Sequence, residues 1–383
     1  MKIEREVVVI GGGPSGLSAA IEASKAGAEV LLIDENLRAG GQLFKQIHKF
    51  FGSSAHYSGT RGFDIGEKLL NEARKYSVEI YLNSVAIGIF KENIIAIKKG
   101  YDYNKKELIT VKAQRIVIAT GASENAISFP GWTLPGVMGA GAVQTMINVN
   151  RVLPGKRILI IGSGNVGLIV TYQLLQAGAE VLAVVEAAPQ ISGYQVHAAK
   201  IIRAGVPVYT SSTILKASGK NRIEQAMLCK LDKNWKKIKG TEFALDVDTI
   251  AIAVGLKPAI KLVRMSGCEC VYNKDLSGWI PLHNEKMEST IKGIYIVGDT
   301  TGVEEANTAL EEGKLAGIAI AESLKYLPST KAHELINETW ERLKDLRMGP
   351  FGEKRMSAKK EIFSEYHKYV NQQRGLSCAK KEN

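Results

Sequence analysis

The chain contains 383 residues, enough for two or three domains at roughly 150 residues each. Its apolar share of 45% and charged share of 23% are ordinary for a globular protein, and its four cysteines exclude a disulfide-built scaffold and indicate a reducing compartment. The net charge of +11 permits nucleic-acid, acidic-protein or anionic-cofactor partners. Neither a run of roughly 18 apolar residues nor a cleavable signal pattern is present, so we expect a cytoplasmic protein that does not cross a membrane.

The first predicted element is a strand that leads into a glycine loop and a helix. Residues 7–10 read VVVI, a β-branched run typical of a buried parallel strand. The sequence GGGPSG follows at 11–16, and a helical stretch of small residues then leads to a second strand at 30–33. This succession is typical of a Rossmann-like unit.

The same succession returns 151 residues further along the chain. Residues 158–161 form a second apolar run, GSGNVG follows at 162–167, and a helical stretch leads to a strand at 182–185. The hexapeptide AGAEVL occurs identically at 26–31 and 177–182. A single GxGxxG is a weak signal. Two copies, each between a strand and a helix and followed by an acid about 20 residues on, predict two dinucleotide-binding folds.

The spacing of the glycines has a physical reason in both loops. The first glycine allows a tight turn, the second lets the backbone approach a pyrophosphate, and the third lets the helix pack closely on the strand. Phosphates then lie against N–H groups at the positive end of the helix. The alternative is two glycine turns that bind nothing. The predicted phosphate-binding residues are Gly11, Gly13, Pro14, Ser15 and Gly16 in the first unit and Gly162, Gly164, Asn165, Val166 and Gly167 in the second.

Acidic residues that can accept ribose hydroxyls follow both second strands. Asp34 and Glu35 are both available in the first unit. In the second unit the 151-residue offset aligns Val185 with Asp34 and Glu186 with Glu35, which makes Glu186 the local acceptor. No arginine or lysine lies between residues 187 and 199 to hold a 2′-phosphate, and a carboxylate would repel one. The sequence therefore predicts NAD(H) in preference to NADP(H).

The other predicted elements are an antiparallel meander and three strands that end on a glycine turn. The meander is predicted from alternating apolar segments separated by polar turns. In chain order these elements are meander segments at 85–90, 94–98 and 108–112, glycine-ended strands at 116–121, 248–258 and 293–299, and a helix from roughly 305 to 324.

These motifs together resemble the two-dinucleotide-binding-domain flavoproteins, the superfamily of pyridine nucleotide-disulfide reductases and their thiol-free relatives. The resemblance covers residues 3 to about 328 and implies that the first loop binds FAD, that the second binds NAD, and that hydride passes between them. It implies that Asp299 contacts the ribityl chain of the flavin, whereas the sequence alone also permits a helix N-cap. The helix that begins near Ala306 would direct its dipole at the flavin. The other cofactor-binding residues that it implies are Gly40, Gly41, Gln42, Val85, Thr120, Gly121, Gly255 and Gly298.

The predicted fold class is α/β, with two Rossmann-like three-layer dinucleotide-binding domains, the NAD domain inserted into the FAD domain, and a helical C-terminal tail. The predicted boundaries give an FAD-binding domain of residues 1–124 and 257–328, an NAD-binding domain of residues 125–256, and a basic C-terminal extension of residues 329–383.

Catalytic side chains are hard to identify, because hydride transfer needs no general base. Lys45 and His48 are candidates that would act on flavin N5 or on a bound substrate. A solvated lysine and a core-packed histidine are the alternatives. The six histidines are scattered, so we expect no metal site.

The cysteines do not match the redox pairs of disulfide reductases with this architecture. The stretch AGGQLFKQIHKFF, where one kind has its pair, contains no cysteine, and Cys229 stands alone between residues 125 and 256. Cys268 and Cys270 have neither of the two known spacings, and Cys378 lies in the charged tail. We therefore expect no thiol–disulfide reductase activity.

Residues 40–66 and 129–149 narrow the resemblance. They look like the FAD- and NAD-binding α-type subunits of dye-linked proline, hydroxyproline, sarcosine and opine dehydrogenases and of hydrogen cyanide synthase. In that family the subunit passes electrons between its flavin, iron–sulfur centres and a partner subunit that oxidises the amine. Only one cysteine follows residue 270, so we expect this chain to carry no iron–sulfur module of its own, and the implied partners are a small [2Fe–2S] protein and a second flavoprotein subunit in an oligomer. The alternatives are a stand-alone NADH oxidase or ferredoxin-type reductase, and a non-catalytic scaffold subunit that only holds nucleotide.

The C-terminal extension, residues 329–383, carries 12 basic and 8 acidic residues. Two apolar stripes predict two helices separated by Gly349, Pro350 and Gly352. Folding back onto the same chain and docking on a partner are both compatible with these stripes, whereas interleaved charges argue against nucleic-acid binding. The stripes consist of Leu335, Ile336, Leu343 and Leu346, and of Ile362, Phe363, Tyr366, Tyr369 and Val370.

Overall fold

The computed structural model describes residues 2–100 and 107–379 of the chain. Two units are distinguished: unit 1 consists of Met1–Ser123 and Lys257–Asn383, and unit 2 of Glu124–Leu256. The second unit is therefore inserted within the first along the sequence. The C-terminal extension, predicted as a separate segment, belongs to unit 1.

A parallel sheet forms the centre of unit 1. The apolar runs of its central strands are buried on both faces, and Val7, Val8 and Val9 have no exposed surface, as expected for β-branched runs between two packed layers. Every neighbouring pair in this sheet is parallel. The strand order across the sheet is Glu79–Tyr81, Val30–Ile33, Lys2–Ile10, Glu107–Ile118 and Ile294–Ile296.

The meander of unit 1 shares a strand with this sheet. The segments predicted as separate strands at 108–112 and 116–118 form one strand, Glu107–Ile118. On one edge it pairs antiparallel with Ile94–Lys99, which pairs with Ser84–Phe90, and then in parallel with Ile294–Ile296. On the other edge it pairs in parallel with Lys2–Ile10, from Thr110 to Ile118. The polar residues that interrupt the apolar pattern at 112–115 do not end the strand, because Lys2–Ile10 pairs with it across this stretch and satisfies its backbone on that edge.

Helices cover one face of the unit 1 sheet and the meander covers the other, which makes three layers. A two-stranded hairpin, Cys270–Asn273 and Gly278–Pro281, follows a short helix after the chain returns to unit 1. The helices of unit 1 are Pro14–Lys25, Gly62–Lys75, Lys261–Met265, Ala306–Ser323, Ser329–Leu346 and Gly349–Ala379, with 3₁₀ turns at Gly41–Lys45, Ser54–His56, Lys91–Asn93 and Gly298–Thr301.

Unit 2 repeats this architecture. Its parallel sheet has the order Val208–Tyr209, Glu180–Val185, Arg157–Ile161, Thr249–Ile252 and Val137–Gly139. An antiparallel meander consists of Ser212–Ser218, Gln225–Lys230 and Phe243–Asp246. Its helices are Ala140–Thr145, Asn165–Gln176 and Gln195–Arg203, with a π-helical turn at Met146–Asn150. The short strands Ala122–Glu124 and Leu256–Pro258 pair where the chain passes from one unit to the other.

The predicted fold class is confirmed in both units and in the helical extension. The outer sheet strand comes last in the sequence of unit 1, at Ile294–Ile296, and first in that of unit 2, at Val137–Gly139. The sequence repeat at the glycine loops is therefore part of a longer structural repeat, in which the outer strand follows the other sheet strands in unit 1 and precedes them in unit 2.

The C-terminal extension folds back onto unit 1, one of the two possibilities open from its sequence. Ile336 and Leu343 join the core between the helices and the sheet. Ile362 is buried against the hairpin, and Tyr366 and Tyr369 pack beside it. The side chain of Cys378 lies outside the described residues. Within the described ranges, no helix combines the length and apolar character that crossing a membrane requires.

Candidate dinucleotide-binding sites

The first glycine loop, residues 11–16, places its three predicted glycines in different surroundings. Gly11 has a φ of +107°, and a Cβ there would overlap the carbonyl oxygen of Ala119. A Cβ at Gly16 would overlap the Gly11 carbonyl oxygen, so helix and strand approach this closely only without a side chain. A Cβ at Gly13 would meet no atom within 4 Å. Gly13 therefore faces open space, as expected of the position that a pyrophosphate approaches.

The helix Pro14–Lys25 begins at this open position. Gly13 is its N-cap and provides no side-chain cap, and Pro14 occupies the first turn. The first hydrogen bond of the helix runs from the Leu17 amide to the Gly13 carbonyl, at 2.9 Å. The amides that precede Leu17 in the helix have no acceptor within it, so they can donate to an anion.

The second glycine loop, residues 162–167, has the same geometry in unit 2. Gly162 has a φ of +105°, and a Cβ there would overlap the Ala253 carbonyl oxygen. A Cβ at Gly167 would overlap the Gly162 carbonyl oxygen, and one at Gly164 would meet no atom within 4 Å. Corresponding glycines of the two loops thus have the same surroundings.

Asn165 and Val166 open the helix that follows the second loop. The Asn165 side-chain oxygen accepts a hydrogen bond from the Tyr194 amide at 2.8 Å, whereas the Val166 side chain is exposed. Asn165 therefore holds a neighbouring segment against the loop.

Each second strand leads to a carboxylate that binds the glycine loop of its unit. In unit 1, Asp34 Oδ2 accepts the Gly12 amide at 2.6 Å, and Oδ1 accepts the amide two residues further along at 2.8 Å. In unit 2, Glu186 Oε2 accepts the Ser163 amide at 2.9 Å, and Oε1 accepts the amide two residues further along at 2.9 Å. Asp34 and Glu186 therefore have equivalent places.

This equivalence corrects the alignment predicted from the sequence. The 151-residue offset pairs Glu186 with Glu35, but Glu35 is exposed and lies one residue beyond the acid that binds the loop. A β-bulge adds one residue to the strand Glu180–Val185, whereas Val30–Ile33 pairs in regular register. The extra residue moves the acid of unit 2 one position along the chain.

The surroundings of Glu186 favour its ionised form. Burial alone would raise its pKa, but hydrogen bonds from Ser163, Ala188 and Ser192 outweigh burial and lower the pKa below its ordinary value. Glu186 thus carries a negative charge at the end of its strand, where a ribose hydroxyl can donate to it and a 2′-phosphate would be repelled.

The predicted residues Gly40 and Gly41 lie against the first loop. The Gly40 amide donates to the Gly12 carbonyl at 2.6 Å, and a Cβ at Gly41 would lie 2.8 Å from the Cα of Gly13. Both glycines have positive φ, at +133° and +55°. Gln42 follows them with an exposed side chain.

The ends of two neighbouring parallel strands, Glu107–Ile118 and Ile294–Ile296, bring Thr120, Gly121 and Gly298 to the first loop. The Gly121 amide donates to Thr300 Oγ1 at 2.9 Å, and Thr120 Oγ1 donates to the Ala259 carbonyl at 2.8 Å. Gly298 has a φ of +68°, and a Cβ there would lie 2.5 Å from the hydroxyl of Ser15. The carboxyl edge of a parallel sheet is where α/β folds bind ligands.

Asp299 lies in a 3₁₀ turn and not at the start of the next helix. That helix, Ala306–Ser323, begins at the predicted residue with Glu305 as its N-cap, so the N-cap alternative for Asp299 is wrong. Burial raises the pKa of Asp299 to about 7, with support from the carboxylates of Glu312, Glu304 and Glu305. The amide of Glu304 donates to Asp299 Oδ1 at 3.3 Å.

Four other predicted residues have surroundings that assign them no role. Val85 pairs with Lys98 in the meander. The Gly255 carbonyl accepts the Asn125 amide at 2.9 Å. Lys45 and His48 are half-buried in the segment after Gly41, and the His48 ring stacks on Phe50, with the ring centroids 6.0 Å apart. Their functional roles stay predictions.

Several residues at these sites were missed in the sequence. Gly12 and Ser163 stand at the variable second position of the two glycine motifs, where their amides meet the carboxylates. Glu124 accepts the Gly141 amide at 2.6 Å, and a Cβ at Gly139 would overlap its carboxylate. The run GVMGAGAV at 136–143 carries a glycine signal that could have indicated this contact.

The cysteines whose side chains are described form no disulfide. Burial raises the pKa of Cys229 and of Cys268, and burial together with Cys268 raises the pKa of Cys270 to about 11. These thiols therefore stay protonated at neutral pH, and a thiol is a weak nucleophile. Across the described residues, no three histidine, cysteine, aspartate or glutamate side chains meet as a metal site.

Residues 5–313 match the pyridine nucleotide-disulphide oxidoreductase family. Among curated proteins, the chain is 27% identical to a subunit of opine oxidase from Rhizobium meliloti over 82% of its length and 62% of the relative's. It is also 27% identical to the HcnB subunit of hydrogen cyanide synthase from Pseudomonas aeruginosa, over 82% of this chain and 70% of that one. The alpha subunit of sarcosine oxidase from Corynebacterium sp. (strain P-1) is 26% identical over 83% of this chain and 32% of its own.

Solved structures show the same fold. L-proline dehydrogenase from P. horikoshii superposes with a TM-score of 0.66 at 22% identity, covering 88% of this chain and 59% of that one. Thioredoxin reductase from T. acidophilum superposes with a TM-score of 0.68 at 18% identity, covering 84% of this chain and 99% of that one. The chain belongs to the pyridine nucleotide-disulphide oxidoreductase family, because the family match covers most of the chain and the glycine loops and the repeated fold agree with it.

Proposed function

We propose that unit 1 binds FAD, that unit 2 binds NAD(H), and that the chain passes electrons between NAD(H) and a partner subunit or iron–sulfur carrier. The observation that carries the proposal is the pair of glycine loops of equal geometry, each bound by a carboxylate of its own unit. The family is one of oxidoreductases and implies FAD. FAD would supply the hydride-accepting centre, and the protein binds and orients it.

The residues of unit 1 fit FAD. The open backbone at Gly13 and the amides of the first helical turn suit the pyrophosphate. Asp34 Oδ2 accepts one backbone amide, which leaves acceptor capacity on that oxygen for a ribose hydroxyl, whereas Oδ1 accepts both the backbone amide and the side-chain amide of Asn36. Asp299 follows Gly298, whose backbone lies against Ser15 of the first loop, and this position supports the proposed ribityl contact. Gly40 and Gly41 let the backbone approach the flavin.

The names of the similar curated proteins support a role within an amine or imino-acid dehydrogenase complex. They describe subunits of opine oxidase, hydrogen cyanide synthase and sarcosine oxidase. We propose a small [2Fe–2S] protein and a second flavoprotein subunit as its partners, with a proline-, hydroxyproline-, sarcosine- or opine-like substrate on the partner.

Anaerobic titration of the purified flavoprotein with NADH tests the electron-transfer proposal. NADH is expected to reduce the flavin and so to bleach the visible absorbance band of oxidised flavin, at roughly 450 nm. A protein that retains FAD but is not bleached by NADH or NADPH would be the nucleotide-holding scaffold. Rapid reoxidation by oxygen without any partner would indicate the stand-alone oxidase.

The Glu186→Ala variant is expected to weaken NADH binding at least tenfold and to leave FAD in place. It removes a charge-assisted acceptor from the second loop, and such a hydrogen bond contributes roughly 1.5–3 kcal/mol. Equilibrium titration with NADH measures the effect. Glu180→Ala is the matched control, because Glu180 lies on the same strand with an exposed side chain. Equal NADH affinity in the two variants would mean that Glu186 does not serve the ribose.

In protein freed of FAD, the contribution of Asp299 to the free energy of unfolding should fall as the pH rises from about 4 to about 7. Folded Asp299, with its pKa raised to about 7, keeps a proton that the unfolded chain releases near its ordinary pKa of 3.8. The Asp299→Asn variant lacks this loss, so its free energy of unfolding at pH 8 should be higher than that of the wild type by roughly 2–4 kcal/mol. The same variant should bind FAD more weakly. Urea unfolding at pH 5 and pH 8 measures the difference. A gain of equal size at both pH values would contradict the assignment.

A further inference from the structure

The segment of residues 298–305, called here the 298–305 loop, carries Asp299 and is held from outside its own sequence. The Gly298 amide donates to Glu312 Oε2 at 3.0 Å. The hydroxyl of Thr301 lies 2.8 Å from the Gly298 carbonyl and 2.9 Å from the same Glu312 oxygen. Glu312, on the helix that follows the loop, therefore fixes both ends of the 3₁₀ turn around Asp299.

Glu312 is a buried carboxylate that needs compensation. Only 3% of its surface is exposed, and an uncompensated charge there would be strongly destabilising. Lys359 Nζ lies 2.8 Å from Glu312 Oε1, and Arg347 Nη2 lies 2.7 Å from the same atom. Burial alone would raise the pKa of Glu312, but these two cations outweigh burial and lower it.

The same two cations also bind the 298–305 loop directly. Lys359 Nζ donates to Thr301 Oγ1 at 2.6 Å. Arg347 holds the carboxylate of Glu304 with two nitrogens, at 2.7 and 2.8 Å, in the bidentate geometry that fixes direction as well as distance. Lys359 has no exposed surface, and Arg347 is 2% exposed.

Both cations come from the C-terminal extension, which begins beyond the part of the chain that matches the family, residues 5–313. Arg347 lies between the two helices of the extension, and Lys359 is on the second, Gly349–Ala379. Apolar packing next to Lys359, through Ala358 and Ile362, fixes its helix on unit 1. The extension thus supplies two positive charges that face the two carboxylates of the loop and the following helix.

Stability alone is a weak reason for such a cluster, since well-packed apolar residues often serve as well as a buried ion pair. We propose that Lys359 is a positioning residue for FAD. With Arg347, it fixes the 298–305 loop through Glu312 and Glu304 and balances their charge, so that the C-terminal extension is part of the flavin site. This inference rests on FAD binding in unit 1.

The test compares the full-length Lys359→Met variant with Lys368→Met. Lys368 lies on the same helix with an exposed side chain and pairs with Glu365. After confirming that the wild type binds FAD, the FAD dissociation constant is measured by fluorescence titration. Lys359→Met is expected to weaken FAD binding at least tenfold, and Lys368→Met to match the wild type. Absence of FAD from the wild type would defeat the proposed function, whereas equal affinities in the two variants would defeat only this inference.

The midpoint potential of the bound flavin distinguishes a positioning and electrostatic role of Lys359 from an unspecific loss of structure. Lys359→Met leaves an excess negative charge at the loop and should shift the potential to a more negative value, because electron density on the flavin is then less favourable. Glu312→Gln should shift it to a more positive value, and the double variant should lie between the two. A purely structural role would weaken the binding of oxidised and of reduced FAD equally and would leave the potential unchanged. An unchanged potential in both Lys359→Met and Glu312→Gln would therefore overturn the inference.

Glu312→Gln and the double variant keep the test decisive if Lys359→Met does not fold. Neither leaves Glu312 as a buried, partly unpaired carboxylate, and a glutamine oxygen can still accept the Gly298 amide. A potential more positive than the wild type in Glu312→Gln, returning toward it in the double variant, supports the inference. A Glu312→Gln potential equal to that of the wild type contradicts it.

Discussion

The Gly16→Val variant is expected to lose FAD, with at least a hundredfold weaker binding, and to unfold more readily than the wild type. A side chain at this position would overlap the Gly11 carbonyl oxygen, and its Cβ would also lie 3.2 Å from the Cβ of Ala119. The Gly11 obstacle is backbone and cannot rotate away, so the helix must move off the strand and the loop must open. Overpacking of this kind destabilises a fold by roughly 1–3 kcal/mol or more.

Two other glycine variants separate folding from binding. A Cβ at Gly13 would meet no protein atom within 4 Å, so Gly13→Ala should fold normally and still bind FAD more weakly, because its methyl group would occupy the position proposed for the pyrophosphate. Gly167→Val introduces the same overlap in unit 2 and should retain FAD while losing NADH binding. Flavin absorbance after gel filtration and NADH titration measure the two effects. FAD retained at full occupancy by Gly16→Val would contradict the assignment of the first loop.

The second large effect is expected at Glu311, a carboxylate with no exposed surface. Arg342 Nε lies 2.9 Å from it, Lys314 Nζ 2.6 Å and His56 Nε2 3.2 Å. Glu311 lies on the helix Ala306–Ser323 and therefore connects this helix to the 3₁₀ turn that contains His56 and to the C-terminal extension, which contains Arg342. The Glu311→Ala variant should lower the free energy of unfolding by about 2–4 kcal/mol at pH 7, less than for a fully buried pair, because Lys314 and Arg342 reach solvent.

The effect of Glu311→Ala should shrink in acid. Burial alone would raise the pKa of Glu311, but His56, Lys314 and Arg342 outweigh it and lower the pKa to about 2. A lowered folded-state pKa gives stability that is complete above the ordinary pKa of 4.5 and is lost as the pH falls toward 2. Urea unfolding at pH 7 and pH 3 measures this. Glu334→Ala, at an exposed pair with Lys331, should change the free energy by less than about 0.5 kcal/mol. A Glu311→Ala effect that does not depend on pH would exclude the ionised network.

The glycine loops could be predicted from the sequence because their requirements are local. A turn with positive φ at Gly11, an open backbone at Gly13 and close packing at Gly16 all arise within one strand–loop–helix unit. The apolar runs before the loops are buried on both faces, as their composition predicts. The helix predicted from roughly 305 to 324 runs from Ala306 to Ser323.

The correspondence of the two acids could not be predicted from an offset alone. Counting residues assumes regular pairing in both units, but the strand Glu180–Val185 contains a bulge that depends on its neighbour. The strand Glu107–Ile118 shows the same limit. Its polar middle looks like a break, and only its pairing with Lys2–Ile10 across that middle makes it continuous.

The sequence by itself determined the α/β class, the repeat, the two loops and the absence of a reductase-type cysteine pair, because these depend on residue type and short-range spacing. Tertiary structure alone decided that Asp34 and Glu186 are equivalent, that Asp299 lies beside the first loop, and that the extension folds back to place Lys359 and Arg347 on the 298–305 loop. These contacts join residues tens to hundreds of positions apart, and burial rather than local pattern sets their charge balance. From composition alone, the excess of +4 in the extension would be assigned to its surface. Two of its positive charges, those of Lys359 and Arg347, are instead buried at the proposed flavin site.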